Sequence, residues 1–260
     1  MIDRLRNSID LNCDLGESFG PYRIGQDEAI LDYVTSVNIA CGYHAGDHNV
    51  MNQTIKMAAE KKLGLGAHPG LPDLLGFGRR WIQTDPEDVF NMVVYQLGAL
   101  QAFASIHNSS LQHVKPHGAL YNRAAEDPGI AQAIAEAVAA VDKSLILFAL
   151  AGSKLVSAGR AAGLTVAEEI FADRTYQRNG TLTPRTNPKA MIHSPEAAVA
   201  QVIQIIKRGT VKTIDGTEIP LQGDTVCVHG DGSQALQFVQ QLRTQLQKEG
   251  IQIKRIGSSE

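Results

Sequence analysis

Histidines and carboxylates recur along the chain, each time at the end of a short apolar run. The first group is Asn12, Asp14 and Glu17, and the last is His229 with Asp231. Between them lie three histidines beside glycine, proline or tyrosine, and one lysine that ends an apolar run: His44, His68, His117 and Lys115. Imidazoles and carboxylates that share a pocket can transfer protons or hold a divalent metal ion. These residue types therefore predict acid–base or metal-assisted hydrolysis.

The segment after residue 43 offers a candidate metal site. His44 and His48 are four residues apart, which is one turn if the segment is helical, and such a pair suits one divalent ion. In the alternative, His48 caps or flanks its helix and only His44 faces the pocket. Asp14 could be a metal ligand, a general base or the start of a turn.

Cationic residues could bind an anionic substrate. Lys115, at the end of an apolar strand, could bind a carboxylate or phosphate, act as an acid, or pair with Glu169 or Asp14. A glycine-rich turn carries Arg79, which could contact an anion or form surface ion pairs. Residues 173–189, which begin with Asp173 and Arg174, are too long for an ordinary connection and form either a binding loop or a mobile surface loop.

The cysteines and the missing motifs narrow the chemistry. The chain has three cysteines, Cys13, Cys41 and Cys227, and this odd number argues against a disulfide framework. Their spacing is also unlike that of metal-binding cysteines. Cys13 and Cys41 could be nucleophiles, but small buried packing residues are favoured. The sequence has no Gly-x-x-x-x-Gly-Lys-Ser/Thr, Gly-x-Gly-x-x-Gly or Gly-x-Ser-x-Gly segment, so it lacks the usual nucleotide loops and the nucleophile elbow.

The elements that must position these residues alternate between strand and helix. Seven mostly continuous apolar runs predict strands buried on both faces of a parallel sheet: 8–14, 36–41, 64–68, 111–115, 144–150, 164–170 and 224–229. Helix starts are predicted at Asp47, at Thr84 with Glu87, at Asp127-Pro128 and at Ser194-Pro195. Residues 210–221 predict a β-hairpin around Asp215-Gly216.

This order predicts an α/β barrel or a doubly wound sheet. In both folds the ligand binds at the carboxyl ends of the strands, where the loops converge. All the histidines except His107 and His193 lie at or beside such ends. We therefore expect one site surrounded by imidazoles and carboxylates.

Charge and hydropathy exclude several classes of protein. The chain has 260 residues, with 24 basic and 27 acidic side chains, and its net charge of −3 disfavours nucleic-acid binding. No continuous apolar run approaches the ~20 residues of a membrane span, and the first residues lack the apolar region of a secretion signal. A cytoplasmic location is expected.

Six segments, taken together and in order, closely resemble the LamB/YcsF family from about Ile9 to Gly250. They are DLNCDLGE (10–17), NIACGYHAGD (38–47), GAHPGLPD (66–73) with GFGRR (76–80), VKPHGALYN (114–122), EEIFADRTY (168–176) and VHGD (228–231). That family supplies the A subunit of bacterial ATP-dependent 5-oxoprolinase. The resemblance implies a single domain over residues 1–260, a seven-stranded β/α barrel like that of polysaccharide deacetylases with a hairpin insertion near 210–221.

The resemblance also implies a reaction and partners. 5-Oxo-L-proline, ATP and water would give L-glutamate, ADP and phosphate. Subunits B and C would handle ATP and phosphorylate the lactam, and this chain would open the ring. The missing phosphate loop agrees with that division of labour.

The resemblance implies the following roles for the site residues. Asp14 is a base or metal ligand, and Lys115 and Arg174 bind anions. The imidazoles of His44, His68 and His117 are ligands or acid–base groups. The residues that complete the ring around the substrate are Glu169, Asp173, His229 and Asp231. Substrate or anion binding falls to Asn12, Glu17 and Arg79.

Comparison with the deacetylases keeps alternatives open. Those enzymes carry an Asp-Asp pair and a His-Ser/Thr-x-x-His motif, with the second Asp and both His on a metal. Asp14, His44 and His48 match that ligand spacing, but Cys13 and Ala45 replace the other two residues. A stand-alone metal-dependent amidase or sugar deacetylase is one alternative. A non-catalytic binding partner is another, which the inward charge at the strand ends disfavours because buried charge is costly.

Overall fold

A closed barrel of seven parallel strands organises the chain. The computed structural model describes residues 7–229 and 235–257. The strands are β1 (Ser8–Leu15), β2 (Ser36–Ala40), β3 (Gly64–His68), β4 (His113–Val114), β5 (Ile146–Leu150), β6 (Thr165–Phe171), β7 (Thr210–Lys212), β8 (Glu218–Pro220), β9 (Thr225–His229) and β10 (Gln252–Ile253). The sheet runs β1-β2-β3-β4-β5-β6-β9 and closes because β9 also pairs with β1. The predicted β/α barrel is confirmed, and the doubly wound sheet is excluded.

All seven predicted strands are present, with small differences at their ends. β4 keeps only two of its five predicted residues, and β6 runs one residue further, to Phe171. The sequence pattern did not predict β10, a two-residue strand that pairs in parallel with the start of β1. Such a short segment has too few residues to show a strand pattern.

The helices surround the barrel and cover its outer face. They are α1 (Asp27–Ile30), α2 (His48–Glu60), α3 (Pro86–Ile106), α4 (Gly118–Glu126), α5 (Pro128–Val141), α6 (Lys154–Ala161), α7 (Pro195–Arg208) and α8 (Ala235–Lys248). Their apolar faces and the outward side chains of the strands form one large core. Each strand is therefore buried on both faces, which explains the continuous apolar runs.

Side-chain caps fix where the helices begin. Asp47, Asp127 and Ser194 accept hydrogen bonds from backbone N–H groups of α2, α5 and α7, as predicted. The predicted cap at Thr84 is wrong by one residue. Asp85 caps α3 instead, because Pro86 occupies the first helical position and the Asp85 carboxylate reaches the N–H of Asp88.

Helix α3 also departs from an expectation. By length and composition it could cross a membrane, a test that core helices of soluble proteins also pass. The sequence shows no continuous apolar run because Asn91, Gln96 and Gln101 interrupt it. Val93, Leu97 and Leu100 on one face are buried in the core.

Two features decorate the barrel. Strands β7 and β8 form an antiparallel hairpin outside the barrel sheet. The long connection between β6 and α7 is held by hydrogen bonds. Gln201 on α7 donates to the carbonyl oxygens of Phe171 and Arg174 at 3.0 and 2.9 Å, and the Thr175 and Thr183 hydroxyls are 2.8 Å apart. This connection is a structured loop, which argues against the mobile alternative.

The barrel interior changes from apolar to polar along its axis. Ile146, Phe148 and Ala167 form a small separate cluster, against which Ile256 packs. Above them, the His113 ring stacks on Phe148 with centroids 4.0 Å apart, and its Nε2 lies 2.8 Å from Asn38 Oδ1. The ring occupies space that β3 leaves open at Gly66, where an added Cβ would lie 2.0 Å from His113 Nε2.

The contact between Gly66 and His113 predicts a large loss of stability on Gly66→Ala. The buried His113 ring would have to leave its contacts with Phe148 and Asn38, so we expect a decrease of at least about 2 kcal/mol in the free energy of unfolding, measured in urea. Gly98→Ala is the control, because no atom lies within 4 Å of its added Cβ in the middle of α3. Alanine there should stabilise the chain by about 0.5–1 kcal/mol. Equal stabilities of the two variants would contradict the packing described.

Burial of His113 predicts a dependence of stability on pH. Burial, with smaller contributions from Lys115 and His68, lowers the pKa of His113 to about 3. The unfolded chain therefore takes up a proton near pH 6.5 that the folded chain refuses until about pH 3. The stabilisation by neutral His113 is complete above pH 6.5 and is lost as pH falls towards 3, by about 1.4 kcal/mol per unit.

Unfolding in urea at several pH values checks this dependence. Between pH 4 and 6, the free energy of unfolding of His113→Gln should depend less steeply on pH than that of the unmodified chain. The difference in slope should correspond to one proton taken up on unfolding. Other buried histidines add to both slopes and cancel in the difference. Identical slopes would mean that His113 is not buried in its neutral form.

Candidate active site

A cavity of about 400 Å³ opens at the carboxyl ends of the barrel strands. The loops after β1, β3, β4 and β6 form its walls, together with α4. Its charged and polar lining comprises Asp14, Glu17, His68, Arg79, Lys115, His117, Tyr121, Asn122, Glu126, Arg174, Gln177, Thr181, Arg185 and Thr186. The predicted convergence of strand ends produces this cavity.

Three buried imidazoles pack against one another at the cavity floor. The rings of His44 and His117 are stacked, with centroids 3.7 Å apart and planes within 4°. His68 meets both rings edge-on, at 5.3 Å from His44 and 4.8 Å from His117. The three rings lie at or just after the ends of β2, β3 and β4, which are neighbours in the sheet, so the order of the strands brings them together.

The protonation of two of these rings follows from their backbone partners. His68 Nδ1 lies 2.7 Å from the carbonyl oxygen of Lys115, and His117 Nε2 lies 2.8 Å from that of Phe77. A carbonyl oxygen only accepts, so both of these nitrogens carry protons. The remaining nitrogens, His117 Nδ1 and His68 Nε2, are 2.9 Å apart. Two neutral rings would point lone pairs at each other, so a proton or a metal ion must be shared there.

The surroundings of this imidazole pair control its charge. Asp14 Oδ2 lies 3.3 Å from His68 Nε2, and Glu17 Oε1 lies 4.0 Å from His117 Nδ1. Burial, followed by the nearby charge of His68, lowers the pKa of His117 well below its usual value. Burial therefore disfavours an additional proton on the His117 ring.

Four buried residues could hold a metal ion. The ligand atoms of Glu17, His44, His68 and His117 all lie within 4.8 Å of one another. Both ring nitrogens of His44 are buried without a hydrogen-bond partner among the described residues, and Nε2 lies 3.6 Å from Glu17 Oε1. Burial, more than the neighbouring histidines, lowers the pKa of His44 well below its ordinary value. Neutral imidazoles and a carboxylate form a donor set that suits zinc.

A buried ammonium group joins the cavity floor to the barrel interior. Lys115 Nζ donates to Asp14 Oδ1 at 2.9 Å, to Asn12 Oδ1 at 3.2 Å and to Cys227 Sγ at 3.0 Å, and it lies 3.0 Å from Glu169 Oε1. Burial alone would lower the pKa of Lys115, but Asp14, Cys227 and Glu169 outweigh burial and raise it. Its charge is compensated inside the protein, so we revise its expected role as an anion binder.

The loop after β3 is fitted closely around the imidazoles. Gly78 has φ of +63°, and a Cβ there would lie 2.6 Å from His44 Cβ and 2.8 Å from His117 Cδ2. Gln96 on α3 holds the start of this loop by bonding both the N–H and the carbonyl of Gly70, at 2.9 and 3.0 Å. Ion pairing between Asp73 and Arg80 closes its far end.

The structure brings most of the predicted site residues together, at two levels. Asp14, Glu17, His68, His117, Lys115, Arg79 and Arg174 line the cavity, and His44 stacks against His117. Asn12 and Glu169 lie below, fully buried inside the barrel, where the Asn12 amide donates to Glu169 Oε1 at 2.9 Å. Asp173 lies outside the cavity lining, next to Arg174.

The remaining predicted site residues lie elsewhere. His48 is an exposed residue at the start of α2, so the predicted set of Asp14, His44 and His48 is not assembled. The side chain of His48 points away because Asp47 caps the helix and turns its first residue outwards. Asp231 and the side chain of His229 lie outside the described residues.

Several residues of the site were not predicted from the sequence. Tyr121 lines the cavity and donates to Glu169 Oε2 at 2.6 Å, and its spacing of four residues from His117 on α4 was the available signal. Arg185 lies in the long loop that was already a candidate binding loop. Asn38 donates to both Asn12 Oδ1 and Asp14 Oδ1, and nothing in its sequence context distinguishes it from a strand residue.

The cysteines fit the packing role. Cys13 and Cys41 are buried, and burial raises the pKa of both thiols, to about 12 for Cys41. A thiol with such a pKa is not a nucleophile at neutral pH.

Comparisons with known proteins agree with one another. The family model described as LamB/YcsF family matches residues 9–260. The A subunit of the 5-oxoprolinase of Halalkalibacterium halodurans is 60% identical over 95% of this chain and 96% of its own, and that of Bacillus subtilis is 58% identical over the same shares. The crystal structure of a lactam utilization protein from Thermus thermophilus is 40% identical and covers 95% of this chain and 99% of its own, with a TM-score of 0.89. The chain therefore belongs to the LamB/YcsF family.

Proposed function

We propose that this chain is the A subunit of an ATP-dependent 5-oxoprolinase and hydrolyses the lactam of 5-oxo-L-proline to L-glutamate. Partner subunits B and C use ATP to phosphorylate the lactam, and this chain opens the activated ring. The observation that carries the proposal is the His68–His117 pair, whose facing ring nitrogens lie 2.9 Å apart beside Asp14 in a cavity lined by arginines. The names of the relatives support the choice of substrate.

The chemistry explains why activation comes first. A lactam is an unactivated amide, and a phosphoryl group on its oxygen makes the carbon electrophilic enough for water. Ring opening then needs a base for the water, a proton for the departing nitrogen and positive charge for the phosphate. The sequence has no phosphate loop of the common kind, which agrees with phosphorylation by partner subunits.

The cavity residues can meet these needs. Asp14 is held by Asn38 and Lys115 through Oδ1, so that Oδ2 faces His68. We assign Asp14 to orienting the attacking water and the His68–His117 pair to moving protons. The pair takes the proton of the water and delivers one to the ring nitrogen as the C–N bond breaks, which leaves γ-glutamyl phosphate. A second water molecule then hydrolyses this acyl phosphate and releases L-glutamate and phosphate. The carbonyl oxygens of Lys115 and Phe77 keep both rings in the required tautomers.

The donor set of Glu17, His44, His68 and His117 fits a divalent ion of the zinc type. When bound, such an ion would lower the pKa of a water molecule. The same donor set favours a second candidate function, a metal-dependent amidase or sugar deacetylase that acts without ATP.

Reconstitution tests the proposal. Glutamate formation from 5-oxoproline is measured with this chain alone, with candidate B and C subunits, and with ATP added or withheld. We expect glutamate only when all subunits and ATP are present. Activity abolished by chelator and restored by zinc would assign the four-residue donor set to a metal ion, whereas activity unaffected by chelator would assign it to proton transfer. Hydrolysis of acetylated sugars by this chain alone would favour the deacetylase instead.

Removing one ring of the pair should stop ring opening. We expect His117→Ala to lower glutamate formation by the assembled enzyme at least about 100-fold, the range typical of acid–base groups. His193→Ala is the matched control, because His193 is exposed and lies outside the cavity lining. Circular dichroism and thermal unfolding check that both variants fold. Near-normal turnover of His117→Ala would remove the pair from the mechanism.

A further inference from the structure

Three arginines converge on the cavity from two loops outside the barrel sheet. Arg79 comes from the loop after β3, and Arg174 and Arg185 come from the loop after β6. All three line the same cavity of about 400 Å³. Burial, followed by the positive charge of Arg185 and with a smaller effect of Arg79, lowers the pKa of Arg174 to about 10. Arg185 and Arg79 are therefore close enough to Arg174 for their positive charges to act on it.

Arg174 is the most constrained of the three. Arg174 is only 4% exposed, and its Nη2 donates to the carbonyl oxygen of Thr183 at 2.6 Å. Its Nε is buried and has no hydrogen-bond partner within the described part of the chain. A buried charged donor left unsatisfied is costly, so the site suits an acceptor that the described residues do not supply.

The loop that carries Arg174 and Arg185 is already ordered. Gln201 fixes the backbone of Arg174, and Arg174 pairs with Met191 in an isolated bridge. A hydrogen bond between the Thr175 and Thr183 hydroxyls joins the two sides of the loop. Pre-ordered donors lose little conformational entropy when a ligand binds.

The acidic residues of the cavity do not all compete for these arginines. Asp14 is bound to Lys115, whose remaining contacts are with Asn12, Cys227 and Glu169. Glu17 faces His44 and His117. Glu126 also lines the cavity, and Asp173 partly offsets the repulsion on Arg174. The ammonium of Lys115 is thus balanced internally, whereas the arginines line the cavity wall.

We propose that Arg79, Arg174 and Arg185 form a binding site for a phosphoryl dianion. This inference rests on the proposed function, in which the phosphoryl group is that of the activated lactam, and the phosphate product would occupy the same site. Planar guanidinium groups donate two parallel hydrogen bonds to phosphate oxygens, so three of them can surround a group with several acceptors. A single carboxylate offers only two oxygens and one negative charge. The site therefore distinguishes the activated lactam from free 5-oxoproline.

Calorimetric titration of the purified full chain with inorganic phosphate tests the site without turnover. We expect phosphate to bind, and Arg185→Gln and Arg79→Gln each to weaken binding at least about tenfold, because each removes a charge-assisted contact. Both residues are exposed at the cavity, so these substitutions spare the core. Arg178→Gln is the matched control, since Arg178 lies in the same loop but pairs with Asp215 outside the cavity. It should change the affinity by less than about twofold.

Parallel titrations with acetate and ATP identify the ligand chemistry. Weak acetate binding that is insensitive to Arg185→Gln supports the phosphoryl assignment. Acetate binding that falls with the same substitutions as phosphate would make this a carboxylate site, and tight ATP binding that depends on Arg185 would make it a nucleotide site. Absence of phosphate binding would also overturn the inference. Because no turnover is needed, phosphate binding that depends on Arg185 would stand even if reconstitution yields no glutamate.

Discussion

The structure depends on one buried ammonium group placed between two carboxylates. Lys115 enters the barrel from the end of β4 and binds Asp14 on β1 while lying 3.0 Å from Glu169 on β6. Removing Lys115 would leave two buried carboxylates without a compensating charge, which proteins tolerate poorly. The interaction therefore fixes strands from opposite parts of the sequence, and it fixes the carboxylate that faces the imidazoles.

The polar barrel interior extends this arrangement downwards. Asn12 accepts from Asn38 and donates to Glu169 and Thr225, so one amide joins three other strands. Asp10, where burial raises the pKa, accepts from the hydroxyls of Thr35, Ser36 and Thr225. A satisfied network of this kind is rigid, because every alternative position would leave a buried group unpaired. That rigidity holds the groups above it in place.

Above this network, the chemistry is arranged by backbone carbonyl groups and loops. The carbonyl oxygens of Lys115 and Phe77 determine which nitrogens of His68 and His117 carry protons, and so create two lone pairs that face each other. The arginine-bearing loops then cover this pair with positive charge. The groups proposed for proton transfer and for anion binding thus share one small cavity. The former are held by the strand ends, and the latter are held by the loops after β3 and β6.

Local patterns in the sequence were enough to predict the seven strands, the capped helices and the end of the sheet where the site lies, because continuous apolar runs and helix caps are local features. These patterns left a barrel and a doubly wound sheet open, and the barrel was expected from the family resemblance. The same patterns indicated Asp14, His44, His68 and His117, since each follows such a run. The folded structure was needed to show that His48 is exposed, that Lys115 pairs with Asp14 and Glu169, and that Tyr121 and Arg185 reach the cavity. The pairing of Lys115 depends on side chains distant in the sequence meeting across a closed barrel, and spacing along the chain carries no record of which strands become neighbours or which charges cancel.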